Sequence, residues 1–90
     1  MMKPMSDRKF QVLTLLATYP FNRQKAATGP VISELLNWFS EDATPVLNRL
    51  GTDGLAEKSS VRARGAFIWN ITEKGRSVYF ATVSGQEQAA

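Results

Sequence analysis

Residues Ser59–Gly75 read SSVRARGAFIWNITEKG. The segment AFIWNIT, Ala66–Thr72, alternates with a period of two: Phe67, Trp69 and Ile71 share one face, and Ile68 and Asn70 share the other. That is the pattern of a strand with one side turned to a core. Ahead of it, LAEKSSV predicts a first strand beginning at Leu55, with Val61–Gly65 as the connection of an antiparallel hairpin. Behind it, Thr72 is placed to cap a helix over EKGRSVYFATV. Two strands alone are marginal in water, so the aromatic face of the hairpin has to rest on other elements.

Those elements lie upstream. Gly54 is a stop signal for a helix expected over Asp42–Asp53, whose buried face is Ala43, Val46, Leu47 and Leu50. Ser40 or Asp42 can cap it, the acids suit its positive end, and Pro45 is tolerated in its first turn. Its other face presents Thr44, Pro45, Asn48 and Thr52, with Glu41 and Arg49 towards the edges. A preceding helix starts at Gly29-Pro30 and carries a stripe of Val31, Ile32, Leu35, Leu36 and Phe39, broadened by Trp38. The first helix, capped by Ser6 with Asp7 in its first turn, buries Phe10, Val12, Leu13, Leu16 and Ala17 and ends at Tyr19-Pro20. Between these two helices, FNRQKAATGP reads as a connection with a short helical turn at Gln24–Ala27. Residues 84–90, SGQEQAA, read as a frayed tail, which leaves 1–83 as the folded domain.

The order is helix, helix, short turn, helix, hairpin, helix. This is an α+β chain: a three-helix core, a two-stranded antiparallel wing and a C-terminal helix, the arrangement of a winged helix-turn-helix. Ninety residues suffice for one modest core, and 43% hydrophobic against 21% charged residues is a globular balance.

Composition narrows the chemistry. With neither cysteine nor histidine, the chain lacks thiols, the usual zinc ligands and the commonest general base. Glu41, Asp42, Asp53, Glu57 and Glu73 form no spaced carboxylate pair, and no phosphate loop or nucleophile elbow occurs. The expectation is a protein that is not an enzyme and needs no cofactor. The start, MMKPMSDRKF, lacks the apolar core of a signal peptide, and no apolar run approaches the ~18 residues that span a bilayer. A cytoplasmic protein without a membrane partner is therefore expected. The net charge of +3 favours an anionic partner.

With TPVLNRLGTDGLAEK and NITEKGR in view, the chain resembles small winged-helix transcriptional regulators of the MarR, PadR and ArsR type. Leu47, Leu50, Gly54 and Leu55 match the step from recognition helix to wing, and NITEKGR matches the passage from the second wing strand into the last helix. The likeness covers about Ser33 to Val83. It implies a recognition helix in the major groove of double-stranded DNA and a wing, residues 59–66, on the backbone or in the minor groove. Thr44, Pro45, Asn48 and Arg49 would then face the groove, Arg62 and Arg64 would act from the wing, and Lys25 and Arg23 would meet phosphates. A homodimer is the expected form on a promoter site. Two other readings stay open: a winged helix that binds a protein partner through its acidic helix entry and aromatics, and a replication or plasmid-maintenance protein using the same fold on DNA.

Overall fold

The computed structural model describes residues 7–38 and 41–89. In chain order these form α1 (Asp7–Thr18), α2 (Gly29–Leu35), α3 (Thr44–Thr52), β1 (Ala56–Ala63), β2 (Ala66–Ile71) and α4 (Glu73–Ala89), with the two strands paired antiparallel. The α+β order of elements is the one read from the sequence.

The apolar stripes meet in one core. Val12 and Leu13 of α1, Ile32 of α2, and Leu47 and Leu50 of α3 are fully buried, and Leu55, Ala56 and Trp69 close the cluster from the base of the hairpin. Trp69 retains only 6% of its exposure, so the strand face it shares with half-buried Phe67 and Ile71 is the inward one, as the alternation required. Complete burial of one such large side chain contributes about 1.5–3 kcal/mol, which is why three short helices and a hairpin hold together.

Helices α2 and α3 end alike. After α3, Gly54 adopts φ 78°, its N–H donates to the Gly51 carbonyl (3.1 Å), and Leu55 N–H donates to Leu50 (2.8 Å). These are the paired bonds of a Schellman turn, and buried Leu50 and Leu55 supply its apolar contact. After α2, Asn37 takes the place of glycine at φ 59°, with Asn37 N–H on Glu34 (3.1 Å) and Trp38 N–H on Ser33 (2.9 Å). Asparagine is among the few residues that tolerate this left-handed conformation. The stop falls short of Phe39, which the sequence put on the stripe, and Trp38 sits beyond the helix, half-buried. Phe39 and Ser40 lie outside the described residues, as does the expected cap Ser6.

Helix α3 is shorter than Asp42–Asp53 because both acids flank it. Asp42 serves its start from just outside, Oδ1 accepting from Thr44 N–H (2.7 Å) and from the Thr44 hydroxyl (2.6 Å). Ser33 Oγ accepts from Ala43 N–H (2.6 Å) and ties α2 to α3. The α1–α2 connection holds no helical turn at Gln24–Ala27. Asn22 Oδ1 instead accepts from Gln24 N–H (2.9 Å) and Lys25 N–H (2.8 Å), an Asx-type turn that competes with helix. The same connection covers the outer edge of β2, where Trp69 N–H donates to Ala27 (2.8 Å).

The wing is longer and its loop tighter than expected. β1 begins at Ala56, not Leu55, and continues to Ala63, so Arg64 and Gly65 alone make the turn. Both have positive φ, 52° and 84°, as a type I′ hairpin turn requires. The register shifts between Lys58–Trp69 and Arg62–Phe67, leaving Ser59, Ser60 and Val61 opposite Ile68 alone. Ser59 Oγ holds this bulge by accepting from Val61 N–H (3.2 Å) and donating to the Val61 carbonyl (3.3 Å).

At its base the wing is locked to α3. The carbonyls of Asp53, Gly54 and Leu55 accept in turn from Lys74 Nζ (3.0 Å), the Thr72 hydroxyl (2.6 Å) and Thr72 N–H (3.1 Å). Thr72 Oγ1 also accepts from Gly75 N–H (3.0 Å), the expected cap of α4. That helix runs on to Ala89, through the segment read as a frayed tail.

Candidate nucleic-acid interface

The outward face of α3 follows from its inward one. With Ala43, Leu47 and Leu50 in the core, Pro45, Asn48, Arg49 and Thr52 point to solvent, while Thr44 is half-buried and committed to Asp42. Of the four groove-facing candidates, Pro45, Asn48 and Arg49 share one exposed surface, and Thr44 marks its inner edge. Asp53, one turn on from Arg49, accepts at Oδ2 from Lys9 Nζ of α1 at 2.8 Å. Arg49 is exposed beside Asn48.

In the wing, the two arginines play different parts. Arg62 lies in the strand with its guanidinium 4.4 Å from the centre of the Phe67 ring, and Lys58 Nζ approaches the same ring at 4.9 Å. Phe67 thus orders two cations along the wing, a contact of about 0.5–1 kcal/mol at an exposed site. Arg64 sits at the tip, in the left-handed turn, so the two do not follow the simple strand alternation that would aim them alike. Lys58 joins Arg62 on this ring because the hairpin register sets it opposite Trp69 and diagonal to Phe67, a placement that only the structure shows.

The segment ahead of α2 brings one of its two cations, Arg23, to the wing. Arg23 is exposed, Lys25 is half-buried, and Arg23 and Arg64 line a single cavity of about 170 Å³ with Thr28, Pro30 and Val31. Among the described residues, Glu34 is the one acid on its wall. On the other side, the start of α2 abuts the start of α3, where a side chain on Gly29 would overlap Thr44 and Asp42. The wing tip and Arg23 therefore share one cavity with the first turn of α2, and the start of α2 packs against the start of α3.

Two acids flank the entry to α3. Asp42 is used as described, and Glu41 is paired with Arg8 of α1. The hydrogen bond from Arg8 holds the Glu41 carboxyl below its ordinary range, and the same bond raises the Arg8 guanidinium above its own. Among the described residues no group of acids is gathered as a metal site, and no helix is long and apolar enough to cross a membrane.

No protein-family model matches the chain, and no curated protein is detectably similar in sequence. Solved structures do match. ZitR of Lactococcus lactis, a MarR-family winged-helix regulator, superposes in the apo form of a double mutant with a TM-score of 0.67 at 22% identity, over 93% of this chain and 60% of that one. A single-site mutant of the same regulator gives a TM-score of 0.64 at 25% identity, over 98% and 60%. A candidate DNA-binding protein of Ralstonia eutropha JMP134 matches with a TM-score of 0.64 at 20% identity, over 88% of this chain and 98% of that one. The chain spans about 60% of the length of the ZitR chains. The order of elements and these superpositions lead to one conclusion: this chain has the winged helix-turn-helix fold.

Proposed function

We propose that the protein binds double-stranded DNA sequence-specifically as a transcriptional regulator, without catalysing a reaction. The observation that carries this reading is the grouping of two cations from separate segments: Arg64 of the wing and Arg23 ahead of α2 line one cavity, and the start of α2 abuts the start of α3. With α3 in the major groove, Asn48 and Arg49 are the residue types that read adenine and guanine edges, and Pro45 packs against the groove. Arg62 and Arg64, with Arg23 and Lys25, meet phosphates and fix the register. The winged-helix neighbours, one a regulator and one a candidate DNA-binding protein, support the same reading.

A homodimer suits a regulator of this kind. Phe80 on α4 is 62% exposed beside Tyr79, whose ring lies 5.5 Å from it, and Tyr79 in turn stacks on Phe10 of α1 at 6.0 Å. We place the self-complementary contact on this aromatic face, away from α3 and the wing.

Fluorescence anisotropy with a mixed-sequence duplex, repeated over a range of salt, tests the reading. Binding should weaken steeply as salt rises, by counterion release. The double variant Arg62→Ala/Arg64→Ala should bind every duplex more weakly with a salt slope lower by up to about two units. A wild-type affinity that is absent at low salt, or indifferent to salt, would overturn DNA binding and turn attention to a protein partner.

A further inference from the structure

The recognition unit has the wrong charge for its proposed task. Between Glu41 and Asp53 the chain carries three acids, Glu41, Asp42 and Asp53, against a single cation, Arg49. A segment of net charge minus two is an unfavourable thing to press into the phosphate field of a duplex. Yet the two acids at its extremities are each met by a cation from one neighbouring helix. Arg8 pairs with Glu41 ahead of the first turn of α3, and the adjacent Lys9 pairs with Asp53 just past its last turn. Arg8 is held from a second side, its guanidinium 5.0 Å from the centre of the Trp38 ring. Asp42 is turned inward to the N–H and hydroxyl of Thr44. With Arg8 and Lys9 counted, the unit is neutral.

We propose that Arg8 is a determinant of DNA affinity that does not itself touch DNA: it positions and cancels Glu41 at the groove-entering end of α3, as Lys9 does for Asp53 at the other end. Helix α1 thereby sets the charge that the recognition helix presents. The inference rests on the DNA-binding reading above, and its chemistry predicts a signature distinct from a direct contact. A cation on a phosphate releases a counterion and adds about 0.9 to the salt slope. One already neutralised by a carboxylate adds none. Removing Arg8 leaves Glu41 uncompensated within a Debye length, about 8 Å at physiological salt, of any phosphates flanking the docked helix.

The test is duplex binding by anisotropy across salt for the wild type, Arg8→Ala, Glu41→Gln and the double variant, with the melting temperature of each. Arg8→Ala is expected to weaken binding roughly two- to fivefold at low salt, the scale of one unit charge 4–8 Å from a phosphate in water. The double variant is expected to return to wild-type affinity with the wild-type salt slope. A double variant that stays weak, with a slope about one unit shallower, would make Arg8 a direct phosphate contact and overturn the proposal. So would Arg8→Ala binding as the wild type does. If Arg8 were only a structural brace, Arg8→Ala and Glu41→Gln would lower the melting temperature alike and rescue would not occur. A wild type that fails to bind duplex in a salt-dependent way removes the DNA reading itself, and that result is visible before any variant is compared.

Discussion

Arg64 occupies a position that the backbone would give to another residue. A type I′ turn asks for positive φ at both central residues, and Asn-Gly or Asp-Gly is the usual solution. Here an arginine holds φ 52° ahead of Gly65, a conformation that costs an ordinary L-residue roughly 1–2 kcal/mol. Strained residues of this kind tend to gather where function requires them, and this one stands at the wing tip, on the cavity that it shares with Arg23. Arg64→Asn is accordingly expected to raise stability by about 0.5–1 kcal/mol and to weaken DNA binding at the same time. Chemical denaturation and anisotropy on one preparation check both signs. A variant that loses stability would show that Arg64 makes contacts that outweigh its backbone cost. The residue scale also explains why α2 stops at Leu35. Asn37 takes the role of a C-terminal glycine there, a signal easily passed over when only glycine and proline are read as stops.

At the scale of elements, what could be read from the sequence was whatever depends on near neighbours. The period of Ala43, Leu47 and Leu50, the Gly54 stop, the alternation around Trp69 and the Thr72 cap are local patterns, and each has its counterpart in the structure. Of the candidate site only the exposure was legible, because exposure on α3 is the complement of its buried face; that Pro45, Asn48 and Arg49 are exposed follows from Leu47 and Leu50. The bulge at Ser59–Val61 and the pairing of α1 cations with acids around α3 were not legible, since both depend on partners far along the chain. The same is true of the junction between α3, the wing and α4. A side chain on Gly75 would overlap the Leu55 carbonyl and press on Ile71, and a backbone carbonyl cannot rotate away. Gly75→Ala should therefore destabilise the protein by about 1–3 kcal/mol even though alanine favours helix. Thermal melting decides between them: an unchanged or raised midpoint would mean that helix propensity outweighs the clash.

For the whole molecule, the proposed DNA contact and the proposed dimer contact fall on different elements, the former on α3 and the wing and the latter on α4. If α4 carries the second copy, Phe80→Asp should shift the species seen in analytical ultracentrifugation from dimer to monomer while leaving the melting curve of the monomer near that of the parent, because Phe80 is exposed. A monomeric parent would remove the dimer and leave Phe80 to some other contact. Between these two faces lies the three-carbonyl lock, in which Asp53, Gly54 and Leu55 all accept from Thr72 and Lys74. Its consequence is a separation of design freedoms. Both ends of the hairpin are held at this clamp, and Trp69 anchors β2 in the core, so the hairpin can be lengthened, shortened or re-sequenced at its tip without turning α3. Lengthening a loop raises its closure cost only slowly. The wing tip is thus a replaceable fitting, free to vary its length while α3 keeps its aim.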